Sequence, residues 1–367
     1  MSKPIHKIRV DLEKDGYDIF VGCDLISELA KLISPLIKPS RIMVVTNPQI
    51  QEFYGTTVRA ALASVPCDVV CETIPEGEQH KNIATVERLL DKMVGARLDR
   101  SSLLVSLGGG VVGDIAGFAA AIYARGIPYV QVPTTLLAQV DSSIGGKVGV
   151  DHPLAKNMIG AFYQPLLVCI DPAVLASLPD KEMQNGMAEV IKYGVIADEG
   201  LFSLLERHSN SLKKLDAGLL EDTIKRCCQI KARIIQQDVH ETTGLRVLLN
   251  YGHTIGHAIE SVTGYRRFSH GEAVAIGMMT AAKIARILKL LPEEAEKRQE
   301  RLLLAAGLPT RLFGVAPQSV IEAVKLDKKA SAGQNRFVLP RGIGRVVVKE
   351  NIPPGIIEQA LKEIVDD

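Results

Sequence analysis

Three of the eight histidines, His253, His257 and His270, stand within 18 positions, in Asn250-Tyr-Gly-His253-Thr-Ile-Gly-His257-Ala-Ile-Glu260 and Ser269-His270-Gly-Glu272. Two imidazoles and one carboxylate around an open position form a ligand set for catalytic zinc, because the open position must admit water or substrate. Spacing nominates His253 and His257, at i and i+4, as the imidazole pair, and does not decide between them and His270. Upstream, Glu189 and Lys192 lie three residues apart and share a face of a helix predicted over Asp180–Ile196.

A second chemical feature is Leu103-Leu-Val-Ser-Leu-Gly108-Gly-Gly110-Val111-Val112-Gly113-Asp114-Ile-Ala-Gly117. A buried strand, a glycine turn and an apolar helix over Ile115–Tyr123 make a phosphate cradle. Gly108, Gly110 and Gly113 satisfy G-x-G-x-x-G, which lets backbone N–H groups approach a pyrophosphate at the positive end of a helix. The acidic residue that holds a ribose about 20 residues on is missing, since the next strand, Ile127–Val132, runs into Pro133-Thr134-Thr135. The expectation is a nucleotide without the standard Rossmann grip.

Other polar clusters accompany these two. Pro75-Glu76-Gly77-Glu78-Gln79-His80-Lys81 follows a strand at its carboxyl end, where open α/β sheets bind ligands, so Glu78 and Lys81 are candidates. Asp141-Ser-Ser-Ile-Gly145-Gly146-Lys147 and Lys156-Asn157 read as two loops of lysines and hydroxyls beside flexible backbone, suited to a phosphorylated or carboxylated compound. They are not a P-loop, because Val148 stands where Ser or Thr must bind magnesium. Lys231, Asp238, Glu241 and Arg246 precede the histidines, and Asp327-Lys328-Lys329 follows them. With Arg125, Lys147, Lys156 and Lys192, they could surround a multiply anionic substrate.

The elements that must position these groups change character along the chain. Ile8–Leu12 and Tyr17–Val21 read as a hairpin, Arg41–Thr46, Val69–Ile74 and Ser102–Leu107 as buried strands, and Thr57–Ser64 and Ile83–Ala96 as amphipathic helices. Strands alternating with helices imply a mostly parallel sheet with covered faces. Ser177-Leu-Pro179-Asp180 resembles a capping box, and beyond it helical periods dominate until Arg336–Leu339 and Gly344–Val348. Gly264 ends the helix of His253, and Ser269–Glu272 caps the next. With 367 residues, 47% of them hydrophobic, two cores are expected. The reading is an α/β domain over 1–178 and a mainly helical domain over 179–367.

With 43 Lys and Arg against 42 Asp and Glu, there is no net field for nucleic acid or anionic lipid, and the partner is expected to be a small molecule. The six cysteines include no C-x-x-C, and adjacent Cys227-Cys228 cannot form an ordinary bridge, which suits a reducing cytosol. No signal peptide is recognisable, and no uncharged apolar run reaches ~18 residues. A soluble cytoplasmic protein, away from membranes, is expected.

Taken together, Glu78-Gln-His-Lys81, Gly-Gly-Gly110-Val-Val-Gly-Asp114, Val-Pro-Thr134-Thr135-Leu-Leu-Ala-Gln-Val-Asp141-Ser-Ser-Ile-Gly-Gly-Lys147, Lys156-Asn157, Ala-Glu189-Val-Ile-Lys192, Leu-Asn250-Tyr-Gly-His-Thr and Ser-His270-Gly-Glu resemble the 3-dehydroquinate synthase family of sugar-phosphate cyclases. The resemblance implies that NAD is held by Glu76 to Lys81, Gly110 to Asp114, Thr134, Thr135, Lys147, Lys156 and Ser177. It implies that Glu189, His253 and His270 bind zinc, or cobalt in its place, which frees His257 for the substrate. Asp141, Lys147, Lys156, Asn157, Lys192, Lys231, Arg246, Asn250 and Lys328 fall on substrate positions, and Arg125 on one that the partner of a homodimer supplies.

The implied reaction turns 3-deoxy-D-arabino-heptulosonate 7-phosphate into 3-dehydroquinate and phosphate, a step toward aromatic amino acids. A ring carbinol is oxidised by NAD, phosphate leaves, the ketone is reduced again, and an intramolecular aldol step closes the carbocycle. Alternatives are another sugar-phosphate cyclase or a metal- and NAD-dependent polyol dehydrogenase of similar build. A non-catalytic scaffold is the third, disfavoured by the intact Lys147, Glu189, His253 and His270.

Overall fold

A computed structural model describes residues 5–213, 217–330 and 336–366, without the side chains of 210–213 and 327–330. The chain divides into two units, Met1–Pro179 with Leu220–His240, and Asp180–Leu219 with Glu241–Asp367.

The first unit is an α/β layer structure on a seven-stranded sheet. In chain order its elements are β1 (His6–Val10), β2 (Tyr17–Val21), α1 (Leu29–Ile33), β3 (Arg41–Thr46), α2 (Pro48–Leu62), β4 (Asp68–Thr73), α3 (Ile83–Gly95), β5 (Leu103–Gly108), α4 (Gly110–Ile122), β6 (Tyr129–Pro133), β7 (Lys147–His152), β8 (Ala155–Phe162) and β9 (Leu167–Ile170). The strand order is β1-β2-β9-β6-β5-β3-β4, parallel except for the β1–β2 hairpin. Alternate residues of β3 face opposite cores. Ile42 and Val44 join Leu29, Val58 and Leu62 on one side, while Met43 and Val45 join Val86, Leu89, Ile115 and Ala119 on the other. Burial on both faces is why these strands read as continuous apolar runs.

The rest of the chain, which supplies the second unit, is mainly helical: α5 (Asp180–Ala197), α6 (Glu199–Lys213), α7 (Ala217–Gln237), α8 (His253–Val262), α9 (His270–Ile287), α10 (Glu293–Ala305), α11 (Pro317–Ala330), the hairpin β10 (Arg336–Gly342) and β11 (Arg345–Glu350), and α12 (Pro354–Lys362), with α7 the exception. Most of α7, from Leu220, belongs to the first unit, so Lys231 is a first-unit residue.

Three sequence expectations need correcting. The helix read as Ile115–Tyr123 begins at Gly110, because glycines admit a first turn pressed against Ser142 and Gln131. The helix read as Thr57–Ser64 begins at Pro48, where the Asn47 side chain accepts from Ile50 N at 2.8 Å. Lys147 and Lys156-Asn157, read as loops, lie on the antiparallel hairpin β7–β8, whose strands touch backbone to backbone at Gly149 and Gly160.

Candidate active site

Glycines bring together the three helices that carry the metal-type residues. A Cβ on Gly277 of α9 would lie 1.9 Å from Gly252 O, at the start of α8, and one on Gly271 would lie 2.6 Å from Asn185 Cα of α5. The Ser269–Glu272 capping box is present, with Glu272 Oε2 accepting from Ser269 N at 2.7 Å, and it sets His270 in the first turn of α9. Glu189 of α5, His253 of α8 and His270 of α9 consequently offer ligand atoms all within 4.8 Å of one another. His253 Nε2 and His270 Nε2 lie 3.4 and 3.6 Å from Glu189 Oε1. Tetrahedral ligands each about 2.1 Å from zinc stand about 3.4 Å apart, so the spacing fits a shared ion. His257, the other half of the i, i+4 pair, is exposed, its ring 5.3 Å from that of His253.

A buried anion stands at the centre of this cluster. Glu189 is fully buried and pairs directly with Lys192 Nζ, with the two imidazoles beside it. Burial opposes ionisation, but the Lys192 ammonium outweighs it and holds the carboxyl well below its usual range. Burial pushes His253 down to about 3, so its imidazole is neutral. Burial also acts against a charge on His270, yet Glu189 and Glu260 raise it to about 10.

In the first unit, three polar stretches meet one end of the sheet. Glu76–Lys81 follows β4, Gly109–Gly113 follows β5, and Thr134-Thr135 follows β6. The chain crosses from β4 over β3 to β5, making this the switch point where open sheets take ligands. Gly109 caps α4 with no side-chain bond, leaving the amides of Gly110, Val111 and Val112 outside the helical ladder. A Cβ on Gly109 would be 2.9 Å from Thr135 Cγ2. The Thr134 hydroxyl is buried and has no hydrogen-bond partner among the described residues. Bare amides, a backbone kept free of side chains and an unsatisfied hydroxyl fit a nucleotide's phosphates and polar edge.

Around this end, Lys81 Nζ contacts Asp114 Oδ2 at 2.6 Å and donates to Asn157 Oδ1 at 2.7 Å. Burial works against the Lys81 charge, but Asp114 and Glu78 raise its pKa overall. Lys156 Nζ reaches Glu78 Oε1 at 3.6 Å. Asp151, which no sequence signal marks, ties the group by accepting from Asn157 N at 2.7 Å while its own N–H donates to Lys81 O at 2.8 Å. Gln79 and His80 lie in the short turn Glu78–His80 that Gly77, at φ 104°, introduces.

The remaining candidates are more scattered. Lys231 holds Asp141, which lies in a single π-helical turn over Ala138–Ser142. Arg246 is buried and meets Glu241 at 3.3 Å, while Asn250 and Lys147 are exposed. Arg125 stands at an exposed corner, with Ala124 and Arg125 both left-handed at φ 50° and 69°. Ser177 does not open α5: its hydroxyl donates to Val174 O at 3.0 Å and bonds Tyr54 at 2.7 Å, closing a turn over Pro172–Ser177. The side chains of Lys328 and its neighbour Lys329 lie outside the described residues.

The fold and donor set define a class of two-unit proteins, an α/β unit with a ligand-type sheet end and a mainly helical unit with a metal-type cluster. The chain resembles 2-epi-5-epi-valiolone synthase from Streptomyces hygroscopicus subsp. jinggangensis 5008 with NAD+ and Zn2+ bound, at 31% identity and TM-score 0.88 over 96% of this chain and 98% of that one. It also resembles 2-deoxy-scyllo-inosose synthase complexed with carbaglucose-6-phosphate, NAD+ and Co2+, at 25% identity and TM-score 0.87 over 98% and 99%. Within that class the match is narrower. The family described as 3-dehydroquinate synthase N-terminal matches residues 71–185, and that described as 3-dehydroquinate synthase C-terminal matches residues 186–330. The 3-dehydroquinate synthase of Crocosphaera subtropica is 46% identical over 97% of this chain and 98% of its own. The chain belongs to the 3-dehydroquinate synthase family.

Proposed function

We propose that this protein is a 3-dehydroquinate synthase that works as a cytoplasmic homodimer with NAD and zinc or cobalt. Its substrate is 3-deoxy-D-arabino-heptulosonate 7-phosphate, and its products are 3-dehydroquinate and phosphate. The observation that carries this reading is the convergence of Glu189, His253 Nε2 and His270 Nε2, in a chain of this family, at the spacing a catalytic metal needs. Glu189, His253 and His270 would hold the metal, and Glu76–Lys81, Gly110–Asp114, Thr134, Thr135, Lys147, Lys156 and Ser177 the nucleotide. When bound, NAD takes up and later returns a hydride, and the metal polarises the oxygen at the carbon concerned.

The chain's own residues do the rest. The bare amides of α4 fix the nucleotide pyrophosphate, and the Lys81–Asp114 pair keeps that end of the sheet polar and rigid. Lys147, Lys156, Lys192, Lys231, Arg246 and Lys328 neutralise phosphate and carboxylate, while Asp141, Asn157 and Asn250 orient hydroxyls. His257, exposed beside the metal ligands, passes a proton to or from the substrate. Arg125 serves the neighbouring protomer's site.

Phosphate release from the heptulosonate phosphate tests this directly. Activity should vanish after chelation, return with zinc or cobalt, and require NAD. A metal-loaded, NAD-supplied protein that releases no phosphate would overturn the reading.

A further inference from the structure

The two imidazoles of the metal cluster are held by different means. His253 Nδ1 lies 3.2 Å from Tyr251 O. A carbonyl only accepts, so Nδ1 carries the proton and Nε2 presents its lone pair toward Glu189. His270 is flanked in the same way, with a side chain in place of the carbonyl: Nε2 is 3.6 Å from Glu189 Oε1 and Nδ1 is 3.5 Å from Glu260 Oε1, so with Nε2 given to a metal, Nδ1 keeps its proton and faces Glu260. Glu260 stands on α8, two turns beyond His253, and is only 6% exposed. A carboxylate desolvated to that degree is costly unless something beside it uses the charge, and His270 is beside it.

The backbone of His270 is fixed separately. Asn185, 7% exposed and one turn before Glu189 on α5, accepts from Gly271 N at 3.0 Å. The helix that supplies the carboxylate ligand thereby ties down the start of the helix that supplies the third ligand.

We infer that Glu260 is the positioning residue of the third metal ligand: its carboxylate takes the Nδ1–H of His270 and turns Nε2 toward Glu189 and His253, while Asn185 sets the place of the α9 first turn. The inference rests on the metal reading above. Groups behind a metal-bound histidine fix its tautomer and orientation, and losing one costs about 10–100-fold in metal affinity.

The test measures zinc affinity by chelator competition on wild type, Glu260→Gln, Glu260→Ala and Asn185→Ala, together with the visible absorption of each cobalt-loaded form. Zinc should bind about 10-fold more weakly to Glu260→Gln and up to about 100-fold more weakly to Glu260→Ala, with an altered cobalt spectrum. Metal-free unfolding midpoints separate lost positioning from lost folding; if Glu260→Ala folds poorly, the isosteric Glu260→Gln carries the test. Wild-type zinc affinity and cobalt spectrum in both Glu260 variants would overturn the inference. Failure of the wild type to bind zinc or cobalt would instead overturn the metal reading on which it rests.

Discussion

Lys231 grips Asp141 twice, with Nζ 2.5 Å from the carboxylate Oδ1 and 2.8 Å from the backbone carbonyl. The grip closes over the π-helical turn that follows the Thr134-Thr135 strand end, and Lys231 is only 6% exposed. Lys231→Met removes a cation that holds both acceptors. Breaking a fully buried pair costs about 3–5 kcal/mol; Asp141 keeps some solvent, so a loss of about 1–3 kcal/mol is expected. If Lys231 also serves the substrate, kcat/KM should fall about 100-fold or more, beyond what reduced folding explains. Thermal unfolding and steady-state kinetics on one preparation check both, and unchanged kcat/KM would remove Lys231 from the site.

Gly277 should tolerate no side chain. An added Cβ meets Gly252 O at 1.9 Å, and that oxygen belongs to the backbone immediately before His253. Gly277→Ala should therefore cost at least the ~1–3 kcal/mol of ordinary overpacking and lower metal content by parting α8 from α9. Gly113→Ala, whose Cβ meets the end of the Gln131 side chain, Oε1 at 2.6 Å, rather than backbone, should be milder. Unfolding midpoints and metal analysis of the two variants should separate clearly.

Metal analysis also distinguishes the histidines. His253→Ala should lose the metal, whereas His257→Ala should keep nearly one ion per chain while losing activity. Comparable metal loss in the two would return His257 to the ligand set. Glu189→Gln should lose both metal and stability, because it leaves Lys192, 1% exposed, without its carboxylate.

Much of this was legible in the chain because local chemistry carried it. Branched runs gave the strands of the parallel sheet, and Ser269–Glu272 gave the start of α9, since each depends on near neighbours. The ligand set was not legible from spacing: i, i+4 puts His257 on the face of His253, and only the packing of α9 against α5 and α8 brings His270 closer to Glu189. Only the family motifs singled out His270. Glu260 and Asn185 carry no sequence signal, because a carboxylate and an amide on helices acquire a role only from what lies opposite. The β7–β8 hairpin was hidden because Gly149 and Gly160 interrupt the alternation that marks a strand.

Arg125 belongs to the reading of a homodimer with shared sites. Two consecutive left-handed non-glycine residues, Ala124 and Arg125, cost about 1–2 kcal/mol each, and backbone strain of this kind clusters at functional sites. Arg125→Ala should cost roughly 2–4 kcal/mol of transition-state binding with folding and metal content near wild type. Mixing Arg125→Ala with His253→Ala subunits should restore activity, because the intact Arg125 of the metal-less chain serves the metal-bearing site of its partner. Confirmed subunit exchange with no returning activity would show that Arg125 does not act across the interface.

A cyclase of this kind returns the hydride to its own substrate, and cofactor stoichiometry tests this most directly. Metal-loaded protein with excess heptulosonate phosphate and a limiting, known amount of NAD should form many equivalents of phosphate and carbocyclic product per NAD, with no lasting rise in NADH absorbance. One NADH accumulating for each product formed would contradict the account and make the chain a dehydrogenase.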